Sequence, residues 1–473
     1  MRLRIVLLMV MLASLCLQAQ IPASIAFDEY FTSSTMRFDY FHSGTSAEEH
    51  FSPDRILNDG VWAGSHTVLT DNLNLGLYFF KVFDKASNKL IYSRGFASIF
   101  GEWQSTGETG WSTFHESLRF PWPKLPVTLT IEKRDAANNF VSVWSTEIDP
   151  LARNVNRAPL TTTMKSFTYI ENGPSSKKVD IVILGDGYTA QEMDKFHKDV
   201  AMLTDELFSV EPFKSRKSDF NVRAVETPSQ SSGVNKPHPG VFNRTPLSMS
   251  YGAFDSERYA LSYDNRTIRD VASSVPYDHM FILINERTYG GGGIFNLYST
   301  VAADNKFSRY IFVHEFGHSF AALADEYYTS DVSYQPPQVT IEPWEPNVTA
   351  LFDPSQLKWK QLLTPGTPLP TPWTKAEYDN FSYDIQKQRK ALRASGAPET
   401  DMESLFEHEK QASLALFAKN EHQHHTGAFE GGNYMQFGLY RSALDCIMFT
   451  RNKQEFCPAC SNAISKVIDM YAQ

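Results

Sequence analysis

Basic charge, cysteine and long apolar runs are all scarce in this chain, and each shortage excludes something. Lys and Arg number 44 against 54 Asp and Glu, for a formal net charge of −10. No long basic run offsets that balance, so neither nucleic acid nor an anionic membrane surface is an expected partner. The one extended apolar run, "IVLLMVMLASLCL", stands at the start and is shorter than the ~20 residues of a membrane span. No membrane span is expected elsewhere. With Arg2 and Arg4 ahead of most of that run and the small Ala19 after it, residues 1–19 read as an export signal and predict a secreted or periplasmic protein. Cys16 follows Leu15, which is larger than a lipid-anchor motif accepts. Beyond the signal only Cys446, Cys457 and Cys460 remain. In an oxidising compartment the simplest expectation is one disulfide and one free thiol. The alternative is three thiolates on a structural zinc, for which no fourth ligand stands out nearby.

What is present is the composition of a globular protein, 42% hydrophobic and 21% charged, and 473 residues are enough for two or three domains. Residues 22–150 carry short runs rich in Val, Thr, Phe and Tyr, such as "LYFFKVFD", "VTLTIEKRD" and "NFVSVWSTEID", separated by turn-forming stretches. They predict an antiparallel β-sandwich. Nothing in them carries a catalytic pattern. A polar, Pro-containing linker follows at 151–165. In 166–473 the pattern changes. "KVDIVILGDGYT" is a buried strand entering a helix, "FNVRAVET", "HMFILIN" and "GGGGIFNLYST" are further strands, and an α/β domain with a mixed sheet is expected. The "GDG" turn lacks the lysine and the glycines of a phosphate loop. Residues 327–420 read as an insertion, Pro- and Trp-rich and then helical.

The chemistry is concentrated in "YIFVHEFGHSFAALADEYY", Tyr310 to Tyr328. Phe312, Phe316, Phe320 and Leu323 make one apolar helical stripe. His314 and His318, one turn apart on another face, can point both imidazoles at one metal ion, and Glu315 beside them can take a proton from water activated by that metal. A third ligand is needed. On an unbroken helix Asp325 would stand about 10 Å beyond His318, so the helix must end between them. "SFAALA" has neither Gly nor Pro to end it, which leaves the break to be enforced by the metal. Asp325 and Glu326 are the near candidates, and His422, His424 and His425 the distant ones.

"HEFGHSFAALADEYY", with "DIVILGDGYT" and "GLYRSALDCIM", resembles the IgA-peptidase-type zinc metallopeptidases, secreted bacterial enzymes within the metzincin group. The resemblance implies a β-sandwich ahead of an α/β metzincin-like zinc peptidase domain. It also implies zinc on His314, His318 and the acidic pair, with Asp325 favoured, Glu315 as general base and Met448 in a turn beneath the metal. Metzincins have Gly three residues after the second His; Ala321 stands there. The function expected is a secreted zinc-dependent endopeptidase acting on a protein or peptide substrate, with host or mucosal glycoproteins among the candidates. Tyr434 and Tyr440 are candidate oxyanion donors, and the glycine-rich strand is a candidate edge for pairing with extended substrate. Two other functions compete: a secreted glycan- or protein-binding protein with a structural or vestigial metal site, and a zinc amidase acting on a non-protein substrate such as peptidoglycan.

Overall fold

The computed structural model describes residues 25–159, 164–334, 339–452 and 455–472. The expected signal, 1–19, and part of the expected linker lie outside the described residues. The N-terminal part consists of β1 (Phe31–Gly44), β2 (Glu49–Val61), β3 (Tyr78–Asp84), β4 (Leu90–Phe96), β5 (Ser112–Pro123), β6 (Val127–Arg134) and β7 (Phe140–Ile148), with short helices α1 (Phe27–Tyr30) and α2 (Ile99–Gln104). One sheet runs β5-β1-β2, and the two-residue β8 (Val155–Asn156) from the expected linker joins it parallel to β2. The other runs β4-β3-β6-β7, and every pairing except that of β8 is antiparallel. Alternation places Met36, Phe38 and Tyr40 of β1 in one core with Tyr78, Phe80 and Val82 of β3 and Val127, Leu129 and Ile131 of β6. Each such side chain contributes about 1.5–3 kcal/mol by leaving water.

The C-terminal part contains β9 (Ser166–Ile170), β10 (Val179–Asp186), α3 (Met193–Leu207), β11 (Phe220–Val225), the ribbon β12 (Ser250–Tyr251) and β13 (Ala260–Leu261), α4 (Asn265–Ala272), β14 (His279–Ile284), β15 (Gly291–Ile294), β16 (Tyr298–Ala302) and α5 (Ser308–Ala321). Then come β17 (Val348–Thr349), α6 (Lys375–Ala394), α7 (Glu399–Phe417), β18 (Phe429–Gly432), β19 (Met435–Arg441) and α8 (Pro458–Tyr471). The main sheet is ordered β15-β16-β14-β10-β11-β9, with its four inner strands parallel and both edges antiparallel. "GGGGIFNLYST" is thus two strands in a hairpin rather than one. Ile181, Ile183 and Phe281 face α3, α5 and α8, whereas Val182, Leu184 and Ile282 face α4 and α2. Helices α6 and α7 add Tyr378, Ile385, Met402 and Phe406 to the core that holds α5.

The two parts meet over charged groups. The buried Arg37 guanidinium donates to Asp59 Oδ1 at 2.7 Å and to Asp270 on α4, and its Nε lies 3.0 Å from Asp39 Oδ1. Arg119 Nε donates to Asp59 Oδ2 at 2.8 Å and Arg55 Nη2 to Asp39 Oδ2 at 2.8 Å. In the "GDG" turn Gly187 takes φ +78°, which favours glycine. The buried Asp186 accepts from Leu247 N at 3.1 Å and Met249 N at 3.0 Å, so it anchors a loop. The expected disulfide is absent: Cys446, Cys457 and Cys460 are all free and buried. Among the described residues no helix is long and apolar enough to cross a membrane.

Candidate metal centre

Helix α5 lies against β15 and β16, its Phe312 ring stacked on Phe281 of β14 at 3.9 Å. This fixes the apolar stripe and turns His314 and His318 the other way. The helix stops at Ala321, and Ala322 adopts the left-handed conformation at φ 51°, ψ 36°. A left-handed residue with a Cβ costs about 1–2 kcal/mol. What holds it is visible. Ala322 N donates to His318 O at 3.0 Å, Ala324 N donates to Asn347 Oδ1 at 2.8 Å and Glu326 N to Met448 O at 2.8 Å. The break therefore has protein partners of its own, which "SFAALA" by itself did not disclose.

The turn brings Asp325 back to the histidines. Asp325 Oδ1 is 3.1 Å from His314 Nε2 and 3.2 Å from His318 Nε2, and the two Nε2 atoms are 3.1 Å apart. His314 Nδ1 lies 2.9 Å from Ile447 O, and His318 Nδ1 lies 2.6 Å from Leu323 O. A carbonyl can only accept, so both Nδ1 atoms carry the proton and both Nε2 atoms present lone pairs. Asp325 Oδ1 is buried and has no hydrogen-bond partner. With the ring protons at Nδ1, three electron-rich atoms converge, an arrangement that a proton or a metal cation must complete. Tetrahedral zinc with bonds of about 2.0–2.1 Å sets its ligands about 3.3 Å apart, close to the three separations here. The donor set fits the ion.

Around this triangle the side chains are equally specific. Tyr434 Oη donates to Asp325 Oδ2 at 2.5 Å. Burial first, and then the Asp325 charge, keep the phenol well above its ordinary pKa and hence a donor. Glu315 lines the same cavity, and burial raises its carboxyl above the ordinary value, opposed by the neighbouring imidazoles. For His318 burial opposes the charged form, but the Asp325 carboxylate outweighs it and pushes the pKa up to about 9, so a proton and a metal cation compete for the same Nε2 position. Met448 is fully buried beneath α5, and a Cβ on Gly317 would come 3.0 Å from its sulfur. That contact explains a glycine in mid-helix.

Other expected positions fall elsewhere. Glu326 turns away from the histidines toward the three cysteines. Tyr440 pairs with Thr349 and Glu430 in a sheet and does not line the cavity. His422, His424 and His425 belong to a separate loop, where His425 Nδ1 lies 3.1 Å from Thr367 Oγ1, and none of them lines the cavity. The glycines of β15 serve packing: a Cβ on Gly293 would lie 2.4 Å from Glu315 O, and one on Gly292 would lie 2.4 Å from the Tyr259 ring. β15 is an edge strand, but Tyr259 already bridges it at Gly291.

The cavity holds about 390 Å³ and takes its walls from both parts of the molecule. Glu102 of α2 lines it, so the N-terminal sheets are not remote from the site. Arg258, whose Nη2 donates to Tyr327 Oη at 3.3 Å, lines it too. Sequence reading passed over Glu102, Arg258 and Tyr327 because no motif joins them; only the fold does.

An α/β domain with two imidazoles and one carboxylate converging at a cleft is an arrangement that metal-dependent hydrolases use. Residues 168–468 match the family described as IgA Peptidase M64, and residues 26–145 match the one described as Peptidase M64 N-terminus. The chain belongs to the IgA peptidase M64 family and is accordingly of a peptidase kind. No curated protein matches it.

Proposed function

We propose that the protein is a secreted zinc-dependent endopeptidase of metzincin-like build that hydrolyses peptide bonds in protein substrates. The observation that carries this is the triangle of His314 Nε2, His318 Nε2 and Asp325 Oδ1, with sides of 3.1–3.2 Å and an unpartnered carboxylate oxygen. Three protein donors at the wall of an open cavity would hold the ion and leave it accessible to water, which favours catalysis over a closed structural or vestigial site. Family membership favours a peptide bond over an amide in a non-protein substrate. Zinc, when bound, supplies a Lewis acid that lowers the pKa of water and polarises a carbonyl.

The chain's own residues do the rest. The carbonyls of Ile447 and Leu323 hold the ring protons at Nδ1, which keeps both Nε2 atoms free as ligands. Tyr434 fixes the rotamer of Asp325. Glu315 takes a proton from the attacking water and returns it to the leaving amine. Its burial raises the pKa of the conjugate acid, and this makes it a better base than an exposed carboxylate. Arg258 and Tyr327 stand where they can orient a substrate carbonyl.

The test is Glu315→Gln, assayed by digestion of a mixed protein substrate together with metal analysis. Zinc is expected to stay at wild-type content while turnover falls by about 10²–10⁴-fold. Unchanged turnover in a zinc-loaded Glu315→Gln chain removes Glu315 from the mechanism, and absence of any cleavage by the zinc-loaded wild type removes the peptidase.

A further inference from the structure

Next to the metal triangle, and facing away from it, lies a second convergence of donors. Ligand atoms of Cys446, Cys457, Cys460 and Glu326 all lie within 4.8 Å of one another, and all four residues are buried. Cys446 Sγ and Cys460 Sγ are 3.9 Å apart. Glu326 Oε1 is 3.6 Å from Cys457 Sγ and 3.4 Å from Cys460 Sγ. A tetrahedral zinc with Zn–S bonds of about 2.3 Å and a Zn–O bond of about 2.0 Å sets sulfurs about 3.8 Å apart and sulfur from oxygen about 3.5 Å. The observed spacings are those of a tetrahedral coordination shell, too long for a disulfide and regular enough for an ion.

We propose that Cys446, Cys457, Cys460 and Glu326 hold a second zinc ion, with a structural role. Independent of the spacing, Glu326 Oε2 is wholly buried and has no hydrogen-bond partner. Its other oxygen accepts from Asn347 Nδ2 at 3.1 Å, which aims the carboxylate. The sulfurs sit among donors, as thiolates require. Cys457 N lies 3.2 Å and Met448 N 3.5 Å from Cys446 Sγ, and Ser442 Oγ lies 3.0 Å from Cys457 Sγ. Four protein donors and no share in the cavity lining make a closed site, the structural kind. The third cluster of possible ligands among the described residues, Asp39, Asp54 and His115, carries no such claim, because Arg37, Arg55 and Arg266 already neutralise it.

The position of this site gives it a task. Glu326 follows Asp325, and Cys446 precedes Ile447, whose carbonyl holds His314. One ion would thus clamp the segment after α5, the segment carrying Met448 and the start of α8. It would fix two of the supports on which the first triangle depends. The inference does not rest on the peptidase reading, since a structural ion is required whatever the cavity does.

The experiment is metal analysis and cobalt substitution of the full chain, with thiol titration in denaturant. The wild type is expected to hold two zinc ions per chain and three titratable thiols once the signal is removed. His318→Ala is expected to keep one zinc, and after cobalt exchange that chain should show strong near-ultraviolet sulfur-to-cobalt charge transfer. Adding Cys460→Ser should abolish the band. Should the double variant fail to fold, the cobalt spectrum and thiol count of the wild type decide alone. A single metal per chain with no charge-transfer band overturns the proposal, as does one titratable thiol beside a disulfide. Failure of the peptidase reading would show separately, as a wild type loaded with two zinc ions that cleaves no protein.

Discussion

Buried charge is handled in opposite ways at the two ends of this molecule. In the N-terminal sheets the Arg37 guanidinium is enclosed by Asp39, Asp59 and Asp270, and those carboxylates are shared in turn with Arg55 and Arg119. Plus meets minus within the protein, and the network joins the two parts. Around α5 the same low-dielectric setting holds His314, His318 and Asp325 with lone pairs facing one another, and next to it Glu326 with three thiols. Among the described residues no lysine or arginine forms an ion pair with Asp325 or Glu326. The contrast separates charge that builds a fold from charge arranged to receive a cation.

The comparison can be broken from either side. The largest effect is expected at the cation end: His318→Ala removes one of three donors, and zinc at the triangle and peptide hydrolysis should both be lost, as read by metal content and digestion. Retention of the triangle's zinc would discredit the donor set. At the paired end, Arg37→Met removes the central cation and leaves two buried carboxylates, Asp39 and Asp59, with only Arg55 and Arg119. This should cost about 3–5 kcal/mol in denaturant unfolding, with the folded protein still active. A smaller change, Tyr434→Phe, removes only the hydrogen bond to Asp325 Oδ2. Zinc affinity or turnover should fall about 10–100-fold while the fold is unchanged by circular dichroism.

The smallest effect is a pH dependence in the N-terminal sheets. Burial opposes protonation of His42, but Glu116 and Glu49, bonded to its two ring nitrogens at 3.0 and 3.1 Å, raise its pKa above the ordinary value. A raised folded pKa means the pair stabilises fully below the unfolded value of about 6.5 and is lost as pH rises through the folded one. Stability in denaturant unfolding should therefore decline across that window. The decline should vanish in His42→Gln, and a slope that persists in that variant would assign it to another group.

How much of this was legible in the sequence depended on the range of the interaction. The strands at "VDIVILGD" and "HMFILI" and the paired imidazoles of α5 follow from local periodicity, and they stand where the pattern put them. That α5 had to end between His318 and Asp325 was legible from the need for a third ligand, but what ends it was not. The turn at Ala322 is held by partners such as Asn347 and Met448 that lie far along the chain. For the same reason Asp325 and Glu326 could not be told apart as neighbours. The turn sends one to the histidines and the other to cysteines more than a hundred residues away, and so Glu326 was missed as the fourth partner of the thiols. The wall that α2 gives the cavity was likewise invisible, since a helix of six residues carries no motif.

The convergence of donors on a cation is tested most directly by anomalous diffraction at the zinc edge from crystals of the wild type. The account predicts a peak within bonding distance of His314 Nε2, His318 Nε2 and Asp325 Oδ1. Zinc-grown crystals with no density among those three atoms, or with Asp325 turned away from both rings, would contradict it.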